Sequence, residues 1–331
     1  MASQIHNHST FKDFDIQNIV YKTVGSHEIY LSLLIPKTLL TSEHASHEKI
    51  PLIAQFHGGF LIGGARLYSP WLPTWLFELA TSEQAIIVAP DYRLLPESNG
   101  LDILSDLASF WSWVEQKLWS TLRRLYPSSK IQPDFDRILV SGQSAGGYLA
   151  AQSMLLHPEI DIKAVAMAYP MVDLRDRHWS EKYEKSIFGV SNLPEDIIEQ
   201  HLAQLPHGPI VTSDGVLMKN EESTRAPLAL CIVQNGKYLD YLGRQSKLYP
   251  MENLARATKS PRFLWVYHGK GDSAVPIAGT ERFLRELRKH MPEVTVKFEA
   301  CEGEHGFDND ISPEVDVDWI RTGVAELRKF W

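Results

Sequence analysis

The chain has 331 residues, a formal net charge of −8, 44% hydrophobic residues and 22% charged residues. Those values exclude a disordered or fibrous chain, and a mild acidic excess without a basic stripe excludes the electrostatic footprint of a nucleic-acid binder. Cys231 and Cys301 lie far apart and outside metal-ligand spacing, no apolar run reaches membrane-spanning length, and Met1 to Thr10 lacks the basic start and apolar run of a secretory signal. The expectation is a soluble, cytoplasmic protein with no membrane span, no structural disulfide and no metal site.

Residues 14–22 and 27–35 alternate in polarity and predict a hairpin turning over Val24-Gly25-Ser26-His27. The polar stretch Thr41 to Lys49 predicts an exposed loop. Pro51 to Phe56 and Ala85 to Ala89 are short apolar runs, the first stopped by His57-Gly58-Gly59 and the second by Pro90. Leu101 to Leu118 has helical apolar spacing, Arg137 to Val140 reads as strand, 145–156 as helix and Lys163 to Tyr169 as strand. Short apolar runs alternating with long helical stretches predict parallel strands joined by crossover helices, an α/β protein.

Between Met171 and Leu254 this rhythm fails, and charged pairs, aromatics and prolines accompany helical fragments without a clear strand. It resumes with a strand over Arg262 to Tyr267, a helix from about Ala278 to Lys289, a strand over Val294 to Glu299 and an amphipathic helix from about Pro313 to Phe330. The expected organisation is a core of residues 1–170 and 256–331, with 171–255 inserted as a helical cap over the strand ends.

Gly142-Gln143-Ser144-Ala145-Gly146 fits G-x-S-x-G between a strand and a small-residue helix. A serine on so sharp a turn crowds its own backbone, and glycines at the flanking positions leave room for it. Ser144 is the candidate nucleophile, and the Ala145 N–H at the helix start is a candidate oxyanion donor aided by the helix dipole. A serine needs a base that is itself oriented by a third group. Asp272 follows the strand ending at Tyr267, and His305 follows the strand ending at Glu299, in the order serine, acid, histidine. His268 also ends a strand but precedes the acid, and Glu302, Glu304 and Asp308 are rival orienting groups adjoining His305 in sequence. Gly58 and Gly59, after the strand at Phe56, are the candidates for the remaining oxyanion donors.

Together these residues resemble the α/β-hydrolase superfamily, and within it the hormone-sensitive-lipase-like esterases, the fold-3 group. Asp91-Tyr92-Arg93-Leu94-Leu95-Pro96-Glu97 is similar to that group's D-Y-R-L-A-P-E segment, and Gly142 to Gly147 to its G-D-S-A-G-G. The resemblance covers about 50–170 and 260–330, and the texture of the chain also resembles fungal serine hydrolases among small-molecule biosynthetic enzymes. It implies a cofactor-independent hydrolase with a mostly parallel eight-stranded sheet flanked by helices, a cap and an acyl-enzyme mechanism. Three departures stand out: Phe60 replaces the third glycine of H-G-G-G, Gln143 replaces an acidic residue, and Ser98-Asn99-Gly100 replaces a proline-rich continuation expected at the pocket rim.

The substrate implied is a small to medium apolar carboxylic ester. Phe60, Tyr68, Gln143, Trp179 and Phe188 are the candidate substrate-binding residues, with Trp71, Trp75 and Tyr183 as further aromatic candidates. Two alternatives stay open: an acyltransferase or product-releasing thioesterase served by an acyl carrier protein in secondary metabolism, and a small-molecule binder that keeps the triad without the activity.

Overall fold

The computed structural model describes residues 11–41, 49–205, 210–214, 223, 225–309, 311 and 317–331. Eight strands form one sheet: β1 Phe14–Val24, β2 His27–Pro36, β3 Ile50–Phe56, β4 Ile86–Pro90, β5 Pro133–Gln143, β6 Ile162–Ala168, β7 Phe263–Gly269 and β8 Thr295–Cys301, ordered 1-2-4-3-5-6-7-8. β1 pairs antiparallel with β2 and β2 antiparallel with β4, and all remaining pairs are parallel. The expected α/β architecture is therefore present, with the hairpin as its antiparallel edge. β3 and β7 are buried along their whole length, as strands covered on both faces must be.

Alternate strand residues fall into two apolar clusters. Ile53, Leu139, Ala166 and Trp265 belong to one, and Leu52, Ala54, Val140, Met167 and Val266 to the other, so the pleat distributes them to opposite faces. The helices are α1 Lys37–Thr41, α2 Thr74–Ser82, α3 Gly100–Leu125, α4 Ala145–Leu156, α5 Arg177–Ser180, α6 Asp196–Gln204, α7 Ala226–Gln234, α8 Tyr238–Leu242, α9 Pro250–Asn253, α10 Ile277–His290 and α11 Asp318–Phe330. α2 and α11 cover one face, while α3, α4 and α10 cover the other.

Between β6 and β7 the described residues form short helices and one isolated bridge, Ile187 to Val190, and add no strand to the sheet. The stretch 42–48, expected as part of a loop, and residues 313–316, expected at the start of the last helix, lie outside the described residues. α3 outruns the expected helix at its C-terminal end, reaching Leu125 just before Pro127. Its start explains Ser98-Asn99-Gly100. The Asn99 side chain accepts from the N–H groups of Leu101 and Asp102 at 2.9 and 3.1 Å, and the Asp102 carboxylate accepts from the Asn99 N–H at 3.1 Å. This is a reciprocal helix cap, and Ser98, Asn99 and Gly100 do not line the cavity described below, correcting the expectation of a pocket rim.

Cys231 and Cys301 are unpaired, and among the described residues no helix is long and apolar enough to cross a membrane.

Candidate active site

β5 ends at Gln143 and α4 begins at Ala145, which leaves Ser144 alone on the turn at φ 56° and ψ −116°, a backbone region costly for a residue with a Cβ. The turn is held from several sides. The Ser144 N–H donates to Ala168 O at 2.9 Å, and Ser144 O accepts from the N–H groups of Met171 and Tyr148 at 3.1 and 3.2 Å. The flanking glycines are a packing requirement: a Cβ on Gly142 would stand 2.2 Å from Gly146 O, and one on Gly146 would stand 2.0 Å from Phe56 O on β3. Strand and helix approach too closely there for any side chain.

Asp272 lies on the turn after β7. Its Oδ1 accepts from the N–H groups of Ala274 and Val275 at 3.0 and 2.7 Å, and its Oδ2 accepts from His305 Nδ1 at 2.7 Å. Burial alone would raise the carboxyl pKa, but the adjacent His305 and His268 outweigh it and hold Asp272 at about 2. With its Nδ1–H donating a hydrogen bond to the Asp272 carboxylate, His305 keeps Nε2 free to accept.

The loop carrying His305 is tied to the acid turn by Glu304, whose Oε1 accepts from the N–H groups of Ser273 and His305 at 2.6 and 2.7 Å. Glu304 therefore braces the backbone and is not hydrogen-bonded to the imidazole. Asp308 is engaged elsewhere, accepting from the Tyr267 hydroxyl at 3.0 Å, and burial pushes its carboxyl pKa up. Glu302 pairs with Lys270 at the surface. The rivals to Asp272 are thus separated from it by their contacts.

The loop after β3 packs against Ser144. An added Cβ on Gly58 would lie 3.4 Å from Ser144 Cβ, and Gly59 has φ 109°. Among the described residues the N–H groups of Gly58 and Gly59 have no backbone carbonyl partner, and the Ala145 N–H is a first-turn helix donor that the helix itself leaves free. Phe60 and Leu61 continue the loop at φ 59° each, so Phe60 adopts a left-handed conformation that a glycine would take without strain.

A second pair, Gly63-Gly64, closes this loop, and sequence reasoning missed it. Gly64, at φ 96°, lies so close to the first pair that a Cβ would meet Gly58 O at 2.2 Å and His57 Nδ1 at 2.4 Å. The repeat of a glycine pair in His57-Gly-Gly-Phe-Leu-Ile-Gly-Gly64 was the available signal. His57 stacks on Tyr92 with ring centres 4.3 Å apart and is lowered in pKa by burial. Arg66 anchors the far end of the loop to Asp91 and Ser32.

Ser144 and His305 both line one cavity of about 220 Å³ with Gly58, Gly59, Phe60, Trp71, Gln143, Tyr169, Phe188, Ala226, Ala229 and Leu230. Of the expected substrate-binding residues, Phe60, Gln143 and Phe188 are on its wall, whereas Tyr68 and Trp179 are not. Tyr68 packs edge-on against Trp71 instead, and Trp179 is buried between Phe60 and Tyr238. Trp75 and Tyr183 are also off the wall. Gln143 replaces charge with a hydrogen-bonded bridge: its Oε1 accepts from Gln55 Nε2 at 2.8 Å, and its Nε2 donates to Trp71 O at 3.0 Å. Trp71, on the wall, is thereby fixed to the residue beside Ser144.

Sequence reasoning missed Tyr169, Asn309 and Arg225 on this wall. Arg225 offers no free charge, since both of its terminal nitrogens reach the buried Glu97 carboxylate at 2.9 and 2.7 Å, and one also reaches Leu95 O. The cavity is consequently apolar over most of its surface. Among the described residues no group of three or more His, Cys, Asp or Glu side chains could hold a metal ion.

Known proteins resemble this chain. A family model described as "alpha/beta hydrolase fold" matches residues 53–207. The chain is 36% identical over 329 residues, 98% of each protein, to "Probable carboxylesterase M8" of Phoma sp.. It is also 36% identical over 197 residues to "Probable carboxylesterase clz11" of Cochliobolus lunatus, covering 58% of this chain and 86% of that one. Among solved structures, Esterase B from Lactobacillus Rhamnosis superposes with a TM-score of 0.60 at 17% identity, covering 96% of this chain and 85% of that one, a likeness of fold alone. With a relative this similar over its full length and the family model matched at residues 53–207, the chain belongs to the α/β-hydrolase fold family.

Proposed function

We propose that the chain is a serine carboxylesterase that cleaves small to medium apolar esters through an acyl-enzyme, with Ser144, His305 and Asp272 as its triad. The observation that carries this reading is the Asp272–His305 hydrogen bond of 2.7 Å, its histidine sharing a cavity with a serine held on a strained turn. The names of the relatives, both carboxylesterases, support the same chemistry.

In this mechanism His305 Nε2 takes the proton of Ser144 Oγ as that oxygen attacks the ester carbonyl, and Asp272 stabilises the imidazolium that forms. The N–H groups of Gly58, Gly59 and Ala145 receive the oxyanion, each worth about 3 kcal/mol in sites of this kind. His305 then gives its proton to the leaving alcohol. Water, deprotonated in turn by His305, attacks the acyl group and returns Ser144 to its free state. No cofactor enters these steps.

Residues 171–255 serve as a cap on the core formed by 1–170 and 256–331. Phe188, Ala226, Ala229 and Leu230 come from that segment and face the cavity that Ser144 lines from the sheet side. The apolar wall and the neutralised Arg225 favour an uncharged substrate over an anionic one.

The test is turnover of p-nitrophenyl esters of increasing acyl length by wild type and Ser144→Ala. Wild-type turnover that falls by at least a thousandfold in the variant supports the reading, and the optimum length measures the cavity. Turnover that survives the substitution removes Ser144 from the mechanism. Product partition with an added alcohol separates hydrolysis from acyl transfer.

A further inference from the structure

His268, next to last in β7, has no exposed surface, and the proposed triad gives it no role. Its Nε2 lies 2.8 Å from Val275 O and 3.2 Å from Asp272 Oδ2, the oxygen that also accepts from His305. Its Nδ1 lies 2.9 Å from Thr280 Oγ1 on α10.

The partners fix the tautomer. A backbone carbonyl only accepts, so the nitrogen facing Val275 O carries the proton, and that N–H also points its positive end at Asp272. Thr280 can donate its hydroxyl proton to Nδ1, which satisfies the neutral ring completely. Two backbone N–H groups donate to Asp272 Oδ1, His305 is hydrogen-bonded to Oδ2, and His268 Nε2 lies 3.2 Å from that same oxygen, so the carboxylate is surrounded by donors.

Resting on the catalytic reading above, we infer that His268 is a positioning residue: it shares Asp272 Oδ2 with His305, fixes the carboxylate and limits how strongly that carboxylate raises the basicity of His305. Two donors on one oxygen divide its electron density. Without the His268 N–H, Asp272 would become a stronger acceptor for His305 and would hold the imidazolium more tightly.

The other titratable groups around the pair come from several elements. Glu304 and Asp308 are on the His305 loop, and Tyr169, after β6, packs its ring against His305 with centres 4.3 Å apart. His178 on α5 reaches Ala274 O at 3.0 Å, and Lys185 is bonded to His178 O at 2.7 Å. Among the described residues none of these is hydrogen-bonded to Asp272 Oδ2, so His268 is the side chain besides His305 that addresses it.

The experiment compares wild type, His268→Leu and His268→Gln by the pH profile of kcat/KM and by the ring titration of His305, followed by NMR and assigned with His305→Gln. Leucine removes the N–H, while glutamine returns an N–H of similar reach. The expected result is that the acid limb and the His305 titration both move up by about half a pH unit in His268→Leu, the scale of one neutral hydrogen bond, and stay near wild type in His268→Gln. Equal losses of activity in both variants without any movement of the titration would mean a merely structural role and would overturn the inference.

Should His268→Leu not fold, His268→Met fills the space without a donor and carries the same expectation. In the wild type, ring ¹⁵N shifts of His268 should report Nε2–H over the whole range in which the protein is folded, and Nδ1–H would overturn the inference. The titration does not depend on turnover. A wild type that hydrolyses no ester but shows the expected titration shift refutes the catalytic reading and leaves the positioning role standing.

Discussion

Replacing Asp272 by asparagine perturbs the site in a way that its hydrogen bonds make calculable. Two backbone N–H groups, of Ala274 and Val275, require an acceptor at the Oδ1 position. The asparagine carbonyl therefore turns there, which leaves its NH₂ at the Oδ2 position facing the Nδ1–H of His305. Two donors cannot bond, so His305 moves its proton to Nε2, the nitrogen needed to deprotonate Ser144. Activity should fall by about 10³–10⁴-fold, as for loss of the correct tautomer in a serine triad.

The same substitution has a pH-dependent stability cost. Asp272 is held at about 2, against 3.8 for an unperturbed carboxyl, a difference worth about 2 kcal/mol of folding stability. A depressed carboxyl pKa stabilises above the unfolded value, and that contribution is lost as pH falls through the folded value. The stability gap between wild type and Asp272→Asn should thus be full at neutral pH, begin to close near pH 4 and vanish below about pH 2. Urea denaturation at a series of pH values measures the gap, and p-nitrophenyl ester turnover measures the activity. A variant retaining a tenth of wild-type turnover, or a gap unchanged down to the lowest pH, would refute the reasoning.

Three further outcomes are expected. Gly146→Ala should be among the most destabilising single substitutions, by about 3 kcal/mol or more, because its methyl meets the backbone of β3 at Phe56 O; a thermal melt within about 4 °C of wild type, the least shift that size of loss would allow, contradicts the packing argument. Arg225→Met should cost about 3–5 kcal/mol by leaving the buried Glu97 carboxylate without its guanidinium, whereas the double change with Glu97→Gln should recover part of that loss in denaturant titrations. Ala229→Phe adds a ring to a cavity of about 220 Å³ and should lower kcat/KM for long acyl esters at least tenfold while sparing acetate esters; a uniform loss across lengths would place Ala229 away from the acyl chain.

Much of the sheet was legible because parallel strands buried on both faces are written as continuous apolar runs. Ile53 and Ala54, Val140 and Val165, and Leu264 and Val266 all lie in such runs. Ser144, Asp272 and His305 were legible for a related reason: each follows the carboxyl end of a strand, and the glycines around Ser144 mark a close approach that a Cβ would block. The cavity wall was legible only in part. Trp179 and Tyr68 have the same aromatic chemistry as Phe60 and Phe188, and nothing local distinguishes a ring that packs inward on Tyr238 from one that faces a cavity.

Arg225 was hidden because its charge is cancelled by Glu97, far away in sequence. His268 was noticed only as a rival base, since its value depends on the shared oxygen of Asp272, which no spacing encodes. The same holds for Gln143. Read along the chain it is a missing acid, whereas across the sheet it joins Gln55 to Trp71 O.

The central claim is that Ser144 carries the acyl group, and trapping it is the most direct measurement. Wild-type protein treated with a fluorophosphonate should gain the mass of one adduct, mapped by peptide mass spectrometry to Ser144, with loss of ester turnover in step with labelling; Ser144→Ala should neither label nor turn over. Full turnover in a protein that takes up no label, or an adduct that maps to another residue while Ser144 stays free, would contradict it.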